Sequence, residues 1–103
     1  MNPKVIVIFA TKNEESTIKN SVSMVKKSYY KPEVLVVDAY SSDKTTEFAR
    51  TAGAVVTRQS KHLFPGKGLA MKEGLKEAIE RMNADIIVFF GCRYKKSNNR
   101  LGK

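Results

Sequence analysis

Four short apolar runs are spaced along the chain, with amphipathic stretches between them. In Lys4-Val5-Ile6-Val7-Ile8-Phe9-Ala10 nothing polar interrupts the run after Lys4, and β-branched residues dominate. A half-exposed strand would alternate; a continuous run fits a parallel strand covered on both faces. Val34-Leu35-Val36-Val37 repeats the pattern and ends on Asp38. Ala54-Val55-Val56-Thr57 is a shorter third run, and Ile86-Ile87-Val88-Phe89-Phe90 is the fourth.

Helical spacing fills the gaps. Ile18, Val22 and Val25 form an apolar stripe on a helix expected to open near Asn13-Glu14-Glu15-Ser16, its acids close to the positive end of the helix dipole. Pro32 separates it from the second strand. Ser42 or Asp43 is placed to cap a second helix that turns Phe48, Ala49 and Ala52 inward and stops at Gly53. A third helix is expected from about Lys67 to Met82, burying Leu69, Leu75, Ala78, Ile79 and Met82. The order β-α-β-α-β, loop, α-β predicts the α/β class: a Rossmann-like three-layer α/β/α fold around a four-stranded parallel sheet in the order 3-2-1-4. Ligands of such sheets bind outside the carboxyl ends of the strands, so the residues that follow each strand are the candidates.

A chain of 103 residues is one domain at most. Its start is too short an apolar run for a signal peptide, and no run approaches a membrane span. Cys92 is the single cysteine, which excludes an internal disulfide and a cysteine metal cluster. A cytoplasmic protein is expected. More than half of the net charge of +9 sits in segment 91–103, through Arg93, Lys95, Lys96, Arg100 and Lys103 with no acid. That segment is expected to be a disordered or aberrant basic tail behind a domain over residues 1–90. Charge alone can bind phosphates, but no recognition motif for a specific nucleic acid is present.

The strand-end loops carry the chemistry. Thr11-Lys12-Asn13-Glu14-Glu15 opens a helix and presents N–H groups and acceptors, as an ordinary helix start also would. Asp38 stands at a strand tip with no helix of its own to cap, which favours contact with a base N–H or ribose hydroxyl; Asp43 is better read as a cap. Gly66-Lys67-Gly68 lets a phosphate approach closely, although Leu69 rules out a P-loop. His62 is read as a solvated loop histidine.

Ile8–Glu15, Val36–Thr45 and Gly66–Leu75, with Asp85 before the fourth strand, together resemble the nucleotide-sugar-binding part of a family 2 glycosyltransferase with the GT-A fold, in its dolichyl-phosphate mannosyltransferase-like branch. The resemblance covers residues 4–90. It implies that Thr11, Asn13 and Glu15 line the base and ribose pocket, that Asp38 hydrogen-bonds the base, and that Lys67 lies near the phosphates. Lys12 stands where the family usually has an aromatic residue, and Ala39 where it usually has a second acid.

The resemblance breaks at the metal. The family's fourth strand leads to Asp-x-Asp, whose carboxylates hold Mg²⁺ or Mn²⁺ on the diphosphate. Here Gly91-Cys92-Arg93 follows, with no carboxylate. No catalytic residue is assigned, and no firmly bound cofactor is expected. A codon string such as TTT GGA TGC CGA TAT AAA AAA TCT for residues 90–97, read after loss of one T, becomes Leu-Asp-Ala-Asp-Ile-Lys-Asn. A single-base insertion near Phe89-Phe90 would therefore explain the lost motif. The expected function is a truncated transferase domain that binds a nucleotide-diphosphate sugar weakly and is inactive alone. The alternative is a standalone nucleotide-binding or partner-assembly module. In either case the uncovered fourth strand should drive self-association.

Overall fold

The computed structural model describes residues 3–28, 30–60 and 67–90, the first residues of the last stretch by backbone alone. The elements are β1 (Val5–Thr11), α1 (Ile18–Lys26), β2 (Glu33–Asp38), α2 (Thr45–Thr51), β3 (Val55–Arg58), α3 (Lys67–Glu80) and β4 (Ile86–Phe90). All strand pairs are parallel, in the order β3-β2-β1-β4, as the run pattern predicts. Thr11 lies opposite Asp38, and Asp38 opposite Arg58, so three strand tips end level.

Successive residues of one strand serve opposite layers, because side chains alternate across a sheet. Val7, Phe9, Val34 and Val36 pack with Ile18, Val22 and Ala49 of α1 and α2. Ile6, Ile8, Leu35 and Val37 pack with Ala78 and Met82 on the α3 side. That double burial is the physical reason the first two runs contain no polar interruption.

Two expectations about the helices need correction. The first helix begins at Ile18, not near Asn13. Asn13 has φ 53, a left-handed conformation that a right-handed helix cannot include, and residues 13–17 form turns instead. α3 ends at Glu80 rather than Met82; Ala78 on it and Met82 just beyond it are buried as expected, but Leu75 and Ile79 face solvent, Ile79 with 53% of its surface exposed. The helix lies on the sheet through Gly74 instead. A Cβ at Gly74 would come within 2.8 Å of Ile8 Cγ2 and 3.1 Å of Val37 Cγ2, so close approach selects the small residue and turns the larger ones away. Leu69, His62 and the basic segment 91–103 lie outside what the structure describes of side chains or backbone.

Among the described residues, β4 joins the sheet only through β1. Ile86, Val88, Phe89 and Phe90 are each at least two-fifths exposed, and Phe90 meets Phe9 with ring centroids 4.9 Å apart. Among the described residues, no helix is long and apolar enough to cross a membrane.

Candidate functional site

The level strand tips bring two loops together, and the loops clasp each other through side-chain to backbone hydrogen bonds. Asp38 is fully buried. Its Oδ1 accepts from the Thr11 hydroxyl at 2.9 Å and the Ser41 hydroxyl at 2.6 Å, and its Oδ2 accepts from the Ser41 N–H at 2.8 Å. The Asn13 N–H donates to Ser41 Oγ at 2.8 Å, and Asn13 Oδ1 accepts from the Ser42 N–H at 2.8 Å. Glu15 Oε1 accepts from the Lys44 N–H at 2.9 Å, while the Glu15 N–H donates to Asp43 Oδ2 at 3.3 Å. The Ala39 N–H donates to the Thr11 carbonyl at 2.9 Å and closes the pair.

The expected site residues Thr11, Asn13, Glu15 and Asp38 therefore form one cluster at the carboxyl ends of β1 and β2. Lys67 stands apart as the first residue of α3. Its backbone begins the helix that packs across β1 and β2, and a helix N-terminus favours an anion. The cluster's geometry qualifies the part played by Asp38. A carboxylate has about four acceptor sites, and here the protein's own donors take three of them. Asp38 organises the loop first, and has little acceptor capacity left for a ligand.

Asp43 accepts from the Thr45 N–H at 3.0 Å and from the Thr45 hydroxyl, two residues ahead, which is the geometry of an Asx turn opening α2. The Thr45 hydroxyl bond, with smaller help from the N–H groups of Thr45 and Glu15 and against some desolvation, holds the Asp43 carboxyl below its ordinary value of 3.8. The cap expected of Ser42 or Asp43 needs correction: Lys44 holds the N-cap position of α2 with no side-chain cap hydrogen bond, and Asp43 makes its turn one residue earlier.

Tyr40, Arg58 and Gln59 at this end were not singled out by the sequence. Tyr40 has φ 55, and the Arg58 guanidinium lies 5.1 Å from its ring centroid. Lys12 Nζ reaches the Tyr40 carbonyl at 3.5 Å. Gln59 donates its N–H to the Asp38 carbonyl at 2.8 Å, yet its side-chain amide is buried with no partner for either atom among the described residues. Register could have flagged Arg58 and Gln59, since they continue β3 beside Asp38; no periodicity marks a left-handed tyrosine. Among the described residues, no group of three or more His, Cys, Asp or Glu is placed to hold a metal ion.

Comparison with known proteins covers the same residues. The family model described as glycosyl transferase family 2 matches residues 6–92. An uncharacterized protein of Methanocaldococcus jannaschii is 36% identical over 86 residues, which span 84% of this chain and 34% of that protein. Glucosyl-3-phosphoglycerate synthase from Mycobacterium tuberculosis, solved with Mn²⁺, uridine diphosphate and glucosyl-3-phosphoglycerate, superposes with a TM-score of 0.69 at 29% identity over 86% of this chain and 33% of that one. The same enzyme with Mg²⁺ and uridine diphosphate gives 0.69 at 28% identity, with coverage of 86% and 33%. This chain thus spans about a third of the length of these relatives.

Proposed function

Because this chain belongs to glycosyl transferase family 2, we propose that it binds the nucleotide part of a nucleotide-diphosphate sugar at the carboxyl ends of β1 and β2. The observation that carries the reading is the clasp of the two loops, which places Thr11, Asn13, Glu15 and Asp38 together where an α/β sheet binds its ligand. Support comes from the uridine diphosphate held by the mycobacterial synthase. Thr11, Asn13 and Glu15 line the base and ribose side, Asp38 sets the loop and gives its remaining acceptor capacity to the base, and Lys67 with the start of α3 faces the phosphates.

The mycobacterial enzyme holds Mn²⁺ or Mg²⁺ in its complexes. The residues that follow β4 in this chain are Gly91, Cys92 and Arg93. They do not fit a divalent cation, which needs oxygen donors, so no role is assigned to one here. On this reading residues 1–90 are the nucleotide-sugar subdomain, 91–103 are a basic tail outside it, and this chain alone does not transfer sugar. It works in the cytoplasm. Titration calorimetry with uridine diphosphate, with and without Mn²⁺, tests the proposal. Binding of the nucleotide that is indifferent to Mn²⁺ supports it; no binding, or binding that requires Mn²⁺, overturns it.

Among the described residues no strand pairs with the far edge of β4, which favours a second reading, an assembly module. Ile86–Phe90 contains no charge, proline or bulge to discourage pairing, and Leu75 and Ile79 add apolar surface on α3. We propose a homo-oligomer, most simply a two-fold dimer, through this strand. Light scattering over a concentration series, repeated on Val88→Lys, tests it. A strict monomer at high concentration would refute the dimer.

A further inference from the structure

Among the described residues, Tyr40 shares a positive φ with Asn13, Lys31 and Asn83, and it alone of these is aromatic. A bulky side chain at φ 55 is a genuine outlier, and such strain persists only where surroundings over-determine it. Those surroundings are on hand. Ser41 is pinned to the buried Asp38 carboxyl by both its N–H and its hydroxyl, and Asp38 is pinned to Thr11. On the other side, Lys12 Nζ holds the Tyr40 carbonyl. The clasp thus grips the residues around Tyr40 and leaves Tyr40 39% exposed.

The ring is also prepared electronically. The Arg58 guanidinium lies over the ring, 5.1 Å from its centroid, so a cation backs one face of the aromatic surface near the tips of β2 and β3. The clasp's hydrogen bonds account for the backbone, and what they display is an exposed aromatic ring with an arginine against it, a surface suited to a planar ligand. Every nucleobase has a π-face, and an aromatic ring beside an arginine is the surface on which such faces stack.

We propose that Tyr40, backed by Arg58, is the stacking platform for the base of a nucleoside diphosphate. The inference rests on the nucleotide reading above and adds the group that binds the base face. It also gives the buried Asp38 a purpose: its hydrogen bonds hold Ser41, and Ser41 sets the backbone that displays Tyr40.

The test is calorimetry on the full chain with two probes, uridine diphosphate and inorganic pyrophosphate, for wild type, Tyr40→Asn, Tyr40→Phe and Tyr40→Trp. Asparagine tolerates the left-handed backbone, so Tyr40→Asn removes the ring without adding strain. Tyr40→Asn is expected to weaken uridine diphosphate roughly five- to a hundredfold, the range for one base stacked on an aromatic side chain, and to leave pyrophosphate within about twofold. Tyr40→Phe and Tyr40→Trp should retain nucleotide binding. The chain has no tryptophan, so Tyr40→Trp carries a single indole, whose emission should fall as the base stacks. Unchanged uridine diphosphate affinity in Tyr40→Asn overturns the inference, as does equal loss for both probes, which would mean a structural role. Failure of the wild type to bind the nucleotide at all overturns the nucleotide reading itself, and this inference with it.

Discussion

Replacing Asp38 by alanine removes the centre of the clasp, and the size of the loss can be worked from its contacts. Three hydrogen bonds go: Thr11 Oγ1 at 2.9 Å, Ser41 N–H at 2.8 Å and Ser41 Oγ at 2.6 Å. A hydrogen bond of this kind contributes about 1–2 kcal/mol net, and a buried donor left without a partner costs about 1–3 kcal/mol. The Thr11 hydroxyl is such a donor, since Thr11 is 3% exposed. Allowing for non-additivity within one network, Asp38→Ala should lose about 3–4 kcal/mol. In a domain of this size 1 kcal/mol is worth roughly 4–8 °C, so the melting midpoint should fall by at least about 12 °C. Thermal and urea unfolding followed by circular dichroism would measure it. Thr11→Val should cost less, and the double variant should lose less than the sum of the two, because both remove the same bond. A midpoint for Asp38→Ala within about 2 °C of wild type would refute this account of the clasp.

Gly74→Ala should destabilise by about 1–3 kcal/mol in urea unfolding, despite alanine's better helix propensity, because the new methyl has no room beside Ile8 and Val37. Gln59→Met should raise the melting midpoint, since it removes a buried amide whose unmet hydrogen bonds cost about 1–3 kcal/mol; a lower midpoint would show that the amide has a partner in solution. The Asp43 carboxyl titrates below 3.8 in the folded chain. The unfolded state therefore takes up its proton first, and the stabilisation is complete above that value and lost as pH falls through the folded one. Asp43→Asn should flatten the acid limb of a stability–pH curve in that window, and an unchanged limb would count against the Thr45 contacts. Sequencing the encoding DNA tests the one-base insertion: the codons from Phe89 onward should yield an Asp-x-Asp motif after the shift, and codons that cannot do so end the idea.

The strands were legible because double burial leaves a pattern nothing else leaves: Val5–Ala10 and Val34–Val37 have no polar residue to offer to water. β4 was equally legible in sequence, yet it is exposed in the structure, because a continuous run reports the burial a strand is suited to, not the cover it has. The third helix misled for a related reason. Leu75 and Ile79 lie at helical spacing from each other and look like core, but which stripe meets the sheet was decided by Gly74, a residue with no hydrophobic signal. At the site, the grouping of Thr11, Asn13, Glu15 and Asp38 followed from strand-end position. What Asp38 holds did not, since an acid at a strand tip looks the same whether it faces a ligand or a neighbouring serine. Tyr40 was illegible because backbone handedness at a single loop residue leaves no trace in periodicity.

The place of β1 at the centre of the sheet has a consequence during synthesis. Of the four described strands β1 is made first, but one of its two neighbours is made last of the four: the Lys4 N–H meets the Asp85 carboxylate across a sequence separation of 81 residues. Once β2 is complete at Asp38, roughly fifty residues must still be translated before β4 ends, which takes about 3–10 s at ordinary elongation rates. Throughout that interval the most apolar strand of the nascent chain has an open side. A chaperone or a neighbouring polysome product can occupy it, and the yield of folded protein should depend on how quickly codons 39–90 are read.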